Sequence, residues 1–103
     1  MSISLNIINQ VFELQQKVLS MPDASGLERN FSRLFNLFEE EGYLLQNPLN
    51  EAYTDARLDC EASIVGTPSS KMSITKVLKP AIYHKAQGQL QLVQKAIVIV
   101  EKK

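Results

Sequence analysis

The stretch Leu34-Phe35-Asn36-Leu37-Phe38-Glu39-Glu40-Glu41-Gly42-Tyr43 is where the chain changes its rhythm. Before it, apolar residues recur every three or four positions; after it, every second position. Within it, Leu34 and Phe38 complete a four-three-four series begun by Leu27 and Phe31, with Phe35 alongside. That spacing puts the large side chains on one face of a helix. Three glutamates follow, and Gly42 supplies the backbone freedom with which helices commonly stop. Towards the N-terminus, Ile7, Val11, Leu14, Val18 and Met21 recur at four, three, four and three, and Ile8, Phe12 and Leu19 widen the stripe. Met21-Pro22-Asp23 ends this first helix, because proline disfavours helical geometry in the residue before it. Ser25 and Glu28 have capping-box spacing and restart the chain as a second helix. Residues 1–42 therefore read as a helical hairpin.

Towards the C-terminus the period is two. Leu58, Cys60, Ala62 and Ile64 alternate with Arg57, Asp59, Glu61 and Ser63, the pattern of a half-buried strand. Gly66-Thr67-Pro68-Ser69-Ser70 is a turn. Met72, Ile74 and Leu78 begin another strand, which Pro80 must end, bulge or place at an edge, and Ala81-Ile82-Tyr83 continue it after the break. Ala86-Gln87-Gly88 turns the chain again. The last strand alternates at Leu90 and Leu92, then becomes apolar on both faces from Ala96 to Val100, as expected of a central strand. Residues 43–103 read as a small antiparallel sheet or barrel, and the fold class is α+β.

With 103 residues, the chain has the size of one domain with a modest core. Its longest apolar run, Ala96 to Val100, is far short of a membrane span. A single cysteine, Cys60, cannot form an internal disulfide. Together with the lack of a signal-like opening, this makes the cytoplasm the expected location and a membrane an unexpected partner. The net charge is zero but polarised: residues 1–62 carry ten acids against four bases, and residues 63–103 seven lysines against Glu101 alone. Nucleic acid is not the expected partner, since no arginine and only one aromatic residue, Tyr83, interleaves those lysines, short of a stacking platform.

Few residues suggest chemistry. Glu51, Asp55 and Asp59 form the most polar patterned stretch, yet they have neither EF-hand spacing nor a nearby histidine. They read as a turn entering a strand with a charged outer face. His84 is the only histidine and has no partner ligand in sequence. Cys60 lies on the apolar register beside Asp59 and Glu61, a setting that suppresses thiolate. No phosphate loop, zinc spacing or nucleophile elbow is present. The expectation is a binding protein with no enzymatic activity, no metal and no cofactor. Each helical stripe holds several large side chains worth roughly 1.5–3 kcal/mol apiece when buried. A homodimer through a four-helix bundle is expected to cover them, with Ile7, Val11, Leu14, Val18, Phe31 and Phe38 at the interface. The alternative cover is the chain's own sheet.

Three segments carry a family resemblance over about residues 27–103. Leu34 to Tyr43 looks like a helix ending in a leucine–glutamate–x–x–glycine pattern before a β-domain. Asn47-Pro48-Leu49-Asn50-Glu51-Ala52-Tyr53 is similar to a proline-, asparagine- and acid-containing turn. Gln94-Lys95-Ala96-Ile97-Val98-Ile99-Val100 looks like a closing strand of arginine–x–alanine and alternating valines. In this order they resemble the GrpE nucleotide-exchange factors of DnaK-type chaperones. The resemblance implies binding to the chaperone's nucleotide-binding domain and release of ADP by a non-catalytic conformational mechanism. Implied contact residues are Lys79, Tyr83, His84, Gln91 and Lys95. The sequence departs from the family in three places. The long N-terminal helices are missing, and the glycine–tyrosine after the middle strand becomes Lys79-Pro80-Ala81-Ile82-Tyr83. The basic positions leading into the closing strand become Gln91 and Gln94. The alternative is a dimeric interaction or scaffold protein with the same shape and a different partner.

Overall fold

In the computed structural model, which describes residues 4–102 without the side chains of residues 24 and 25, Ser4 caps the first helix. Its hydroxyl accepts the Asn6 amide hydrogen at 3.1 Å. Helix α1 spans Leu5–Leu19. A single 3₁₀ turn, Ala24–Leu27, leads into helix α2, Glu28–Glu40. Leu27 occupies the N-cap of α2 and forms no side-chain cap bond, so the cap lies two residues after the expected Ser25. Gly42 ends the helical part at φ 92° and hands the chain to β1, Tyr43–Gln46.

The remaining strands are β2 (Ala52–Tyr53), β3 (Cys60–Val65), β4 (Met72–Lys79), β5 (Ala81–Ala86), β6 (Gln89–Gln94) and β7 (Ala96–Lys102). They form two open sheets, ordered β1-β5-β6 and β2-β4-β7-β3. The frame is one long antiparallel ribbon, folded back at Gln87-Gly88. β5 pairs with β6 near the turn, and β4 pairs with β7 beyond it. Both turn residues have positive φ, 52° and 79°, as a two-residue type I′ hairpin requires. The ribbon changes sheet where Pro80 and Lys95 interrupt its two strands. Proline has no N–H for a ladder, which makes that point a natural break.

Gln94 fixes the break. Its Nε2 donates to the Pro80 carbonyl at 2.9 Å and to Asn9 Oδ1 at 2.8 Å, and Asn9 Nδ2 donates back to Gln94 Oε1 at 2.8 Å. The kink is thereby tied to α1.

The expected antiparallel sheet is corrected in one respect: β3 runs parallel to β7. The 66–71 connection does not close a hairpin between β3 and β4. β7 lies between those strands, so a strand antiparallel to β4 is parallel to β3. No barrel closes, because both sheets keep free edges. β7 is central, as expected, with Ala96, Val98 and Val100 sealed, while Ile97 and Ile99 on its other face are half-buried. Two register shifts in β4 move its inward positions to Met72, Ile74 and Val77 and leave Leu78 exposed. Leu58 lies outside β3 and is 79% exposed.

The core has two parts. Ile8, Phe38 and Ile82, with Leu5, Phe35, Tyr43 and Leu45 at their margin, join the helices to the three-stranded sheet. Phe12 joins Ile74, Val77, Ala96, Val98 and Val100 of the four-stranded sheet. The outline is flat, 44 × 41 × 17 Å, with a radius of gyration of 14.9 Å. A compact domain of this length would have about 13 Å.

Two predictions follow from the kink and the junction. Gln94→Ala strands the Pro80 carbonyl and Asn9, and is expected to cost about 2–3 kcal/mol in urea unfolding. The exposed control Gln89→Ala is expected to cost less than about 0.5 kcal/mol. At Gly42 an added Cβ would sit 3.2 Å from the Lys85 carbonyl oxygen, on a backbone that L-residues rarely adopt. Gly42→Ala is therefore expected to lose about 1–2 kcal/mol. Gly26→Ala, which meets nothing within 4 Å, is expected to be neutral or stabilising.

Candidate interaction surfaces

α1 presents two apolar stripes, about a third of a turn apart. One, built on Leu5, Ile8 and Phe12, faces the sheets and is consumed there. The other runs through Ile7, Val11 and Leu14, which with Asn6 and Gln10 line a shallow groove on the outside of the helix. Ile7 is 54% exposed and Leu14 53%. Of the six residues expected at a helical dimer interface, Ile7 and Leu14 lie open, and Val11 and Val18 are half-buried. Phe31 and Phe38 are buried inside the protomer and leave that surface. On α1 the wide apolar stripe of the sequence fits two faces equally well. Only packing on the sheets decides between Ile8 and Ile7.

A cleft of about 360 Å³ opens where α1 and α2 diverge from β1. Phe12, Phe35 and Leu45 give it an apolar floor, and Gln15, Asn36 and Glu39 a polar rim.

The residues implied as partner contacts fall into three places. Lys79 and Lys95 are exposed on either side of the Pro80–Gln94 kink. His84 and Gln91 oppose each other across β5 and β6 and share one face of that arm. The His84 ring stacks on Tyr43 with centroids 4.6 Å apart, which holds it half-buried. Tyr83 lies on the opposite face, between Leu44 and Leu92, and packs partly on the core. One surface does not gather all five. Gln94, at one of the two basic positions of the resemblance, is spent on the kink and on Asn9.

The acidic stretch serves the fold. Arg57 Nε and Nη2 donate to the two Asp59 carboxylate oxygens at 3.0 and 2.9 Å, Nη1 donates to the Ala52 carbonyl at 3.0 Å, and Nη2 pairs with Glu51 at 3.0 Å. This fork ties the loop to β2 and to the start of β3, where the Ala96 amide donates to the Asp59 carbonyl at 2.8 Å. Asp55 is exposed and outside this network. The Arg57 guanidinium holds the Asp59 carboxyl below the usual carboxylate range. Burial pushes the Cys60 thiol up, and the neighbouring Asp59 adds to that. A buried thiol kept protonated is a poor nucleophile. Among the described residues no three His, Cys, Asp or Glu side chains are placed to hold a metal ion, and no helix is long and apolar enough to cross a membrane.

Because Asp59 titrates lower in the folded chain than in the unfolded one, its stabilisation is complete above the unfolded carboxylate pKa. It is lost as pH falls through the folded value. Asp59→Asn is expected to lower stability by about 1 kcal/mol at neutral pH. It is also expected to flatten the fall of Tm below about pH 4, which a melting series across pH measures.

Comparison with protein-family models, curated proteins and solved structures found no match to this chain.

Proposed function

We propose that this chain is a non-enzymatic protein-binding module of the GrpE kind, which binds the nucleotide-binding domain of a DnaK-type chaperone and promotes ADP release. The observation that carries the protein-binding role is the apolar surface left on a flat molecule. Fourteen large hydrophobic residues among those described are exposed, Ile7, Leu14, Leu90 and Val93 among them at 41% or more. Of these, Ile7 and Leu14 join Val11 in one stripe on the outer face of α1, a grouped apolar patch of the kind found at macromolecular contacts. The choice of partner rests on the order of parts: a helix stopping at Gly42, a β-domain, and a closing strand that becomes central. The mechanism is selection. A protein that binds the open form of the nucleotide-binding domain more tightly than the closed form shifts the population, and ADP leaves from the open form. Lys79 and Lys95, exposed at the kink, are the basic groups available for that contact.

One observation favours a second reading, a scaffold protein with a different partner. Gln94 is directed inward and Gln91 carries no charge, so neither supplies the basic contact that the family resemblance implies.

The rate of labelled ADP release from a DnaK-type chaperone separates the two. The exchange-factor reading expects acceleration by about tenfold or more, as about 1.4 kcal/mol of preference for the open form gives. It also expects that gain to be lost in the Lys79→Ala, Lys95→Ala double variant. An unchanged rate would leave the scaffold reading.

A further inference from the structure

Among the described residues the two sheets end in four edge strands: β1, β2, β3 and β6. The first two are four and two residues long, and β3 carries Glu61. β6, Gln89-Leu90-Gln91-Leu92-Val93-Gln94, has six residues with neither a charge nor a proline. Edge strands are ordinarily blunted by such residues, because unpaired backbone groups template another strand.

The direction of those groups is fixed by the neighbouring strands. The Lys85 amide donates to the Gly42 carbonyl at 2.7 Å, away from β6. Lys85 is opposite Leu90, so that pair is not hydrogen-bonded, and the backbone groups of Leu90 face the free edge. By alternation those of Leu92 do too. These two residues are also 55% and 37% exposed.

We propose that β6 adds antiparallel to β6 of a second copy, about a two-fold axis through Gln91. An antiparallel pair related by a two-fold has its axis perpendicular to the sheet, so opposed residues share a face. With Gln91 on the axis, Leu90 opposes Leu92 of the second copy, and Leu92 its Leu90. These are the residues with outward backbone groups, so each such pair exchanges two hydrogen bonds. The four leucines form one apolar patch beside Tyr83, which opposes Leu92 within the protomer. No like charges meet: Lys95 falls opposite the Gln87 turn of the second copy, and Lys85 lies one strand further in. The result is a six-stranded sheet, β1-β5-β6 joined to its symmetry copy. The inference is independent of the chaperone reading.

A six-residue edge, about 20 Å long, is smaller than a standard interface. The expected association is correspondingly weak, roughly 10–100 µM. Sedimentation equilibrium over that range is expected to show monomer converting to dimer. Leu92→Lys is expected to weaken association at least about tenfold. Leu90→Pro, which removes only an outward N–H, is expected to do the same with an unchanged fold by circular dichroism. Gln91→Cys tests the axis itself. The two introduced thiols lie within disulfide reach, about 4.5 Å between Cα atoms. Diamide, accepting their two hydrogens, should cross-link them at least about tenfold faster than in Gln89→Cys, whose position opposes Val93. Cys60 is buried and stays out of the reaction. A wild-type chain that stays monomeric throughout overturns the proposal. So do equal cross-linking at positions 89 and 91, and a dimer lost in Leu14→Glu but kept in Leu92→Lys, which would place the contact on α1.

Discussion

The bond from Gln94 to the Pro80 carbonyl sits where every layer of the molecule meets. Proline breaks the ladder of a ribbon that would otherwise run unbroken from Met72 to Lys102. A carbonyl at such a break, with no strand partner and almost no solvent, is costly unless something reaches it. Gln94 reaches it from the opposite strand and uses its remaining capacity on Asn9 of α1. One amide therefore sets the angle between two sheets and the seat of a helix. It also explains a departure from the resembled family, because a side chain engaged on three internal partner atoms cannot also grip a partner.

Much of this architecture was legible in the sequence. The loss of the 3.6 period at Gly42, the turn at Gly88 and the central place of Ala96–Val100 each follow from local rules. What was not legible came from register and order. A shift in β4 exchanges Leu78 for Val77 in the core, and no alternation count contains a bulge. The parallel pairing of β3 with β7 depends on a strand more than thirty residues downstream inserting between neighbours. On α1, the choice of Ile8 over Ile7 is made by the sheets and not by the helix. The acidic stretch reads as a charged turn, but Arg57 as its hub is not legible, since the fork geometry needs the chain's path. The implied contact residues are the least legible: consecutive positions on one strand, Tyr83 and His84, necessarily face opposite ways.

The physical character of the molecule is set by thinness. With 17 Å across its narrow dimension, it has room for little more than one layer of side chains between sheet and helix. Ile8 and Val100 are completely buried, while one position away Ile7 is exposed and Ile99 half-buried. A chain built this way concentrates its stability in a narrow seam and leaves its faces available.

The insertion of β7 between β3 and β4 has a consequence for the time course of folding. Neither β3 nor β4 has the other as a neighbour, so the four-stranded sheet has no stable precursor until Ala96–Lys102 has been synthesised. The β1-β5-β6 sheet is itself complete only at Gln94, two residues before β7 begins, so both sheets close within the last stretch of the chain. During translation the apolar positions of β3 and β4 then wait uncovered for their central strand. Long-range pairing of this kind slows the final step and exposes the growing chain to sticking.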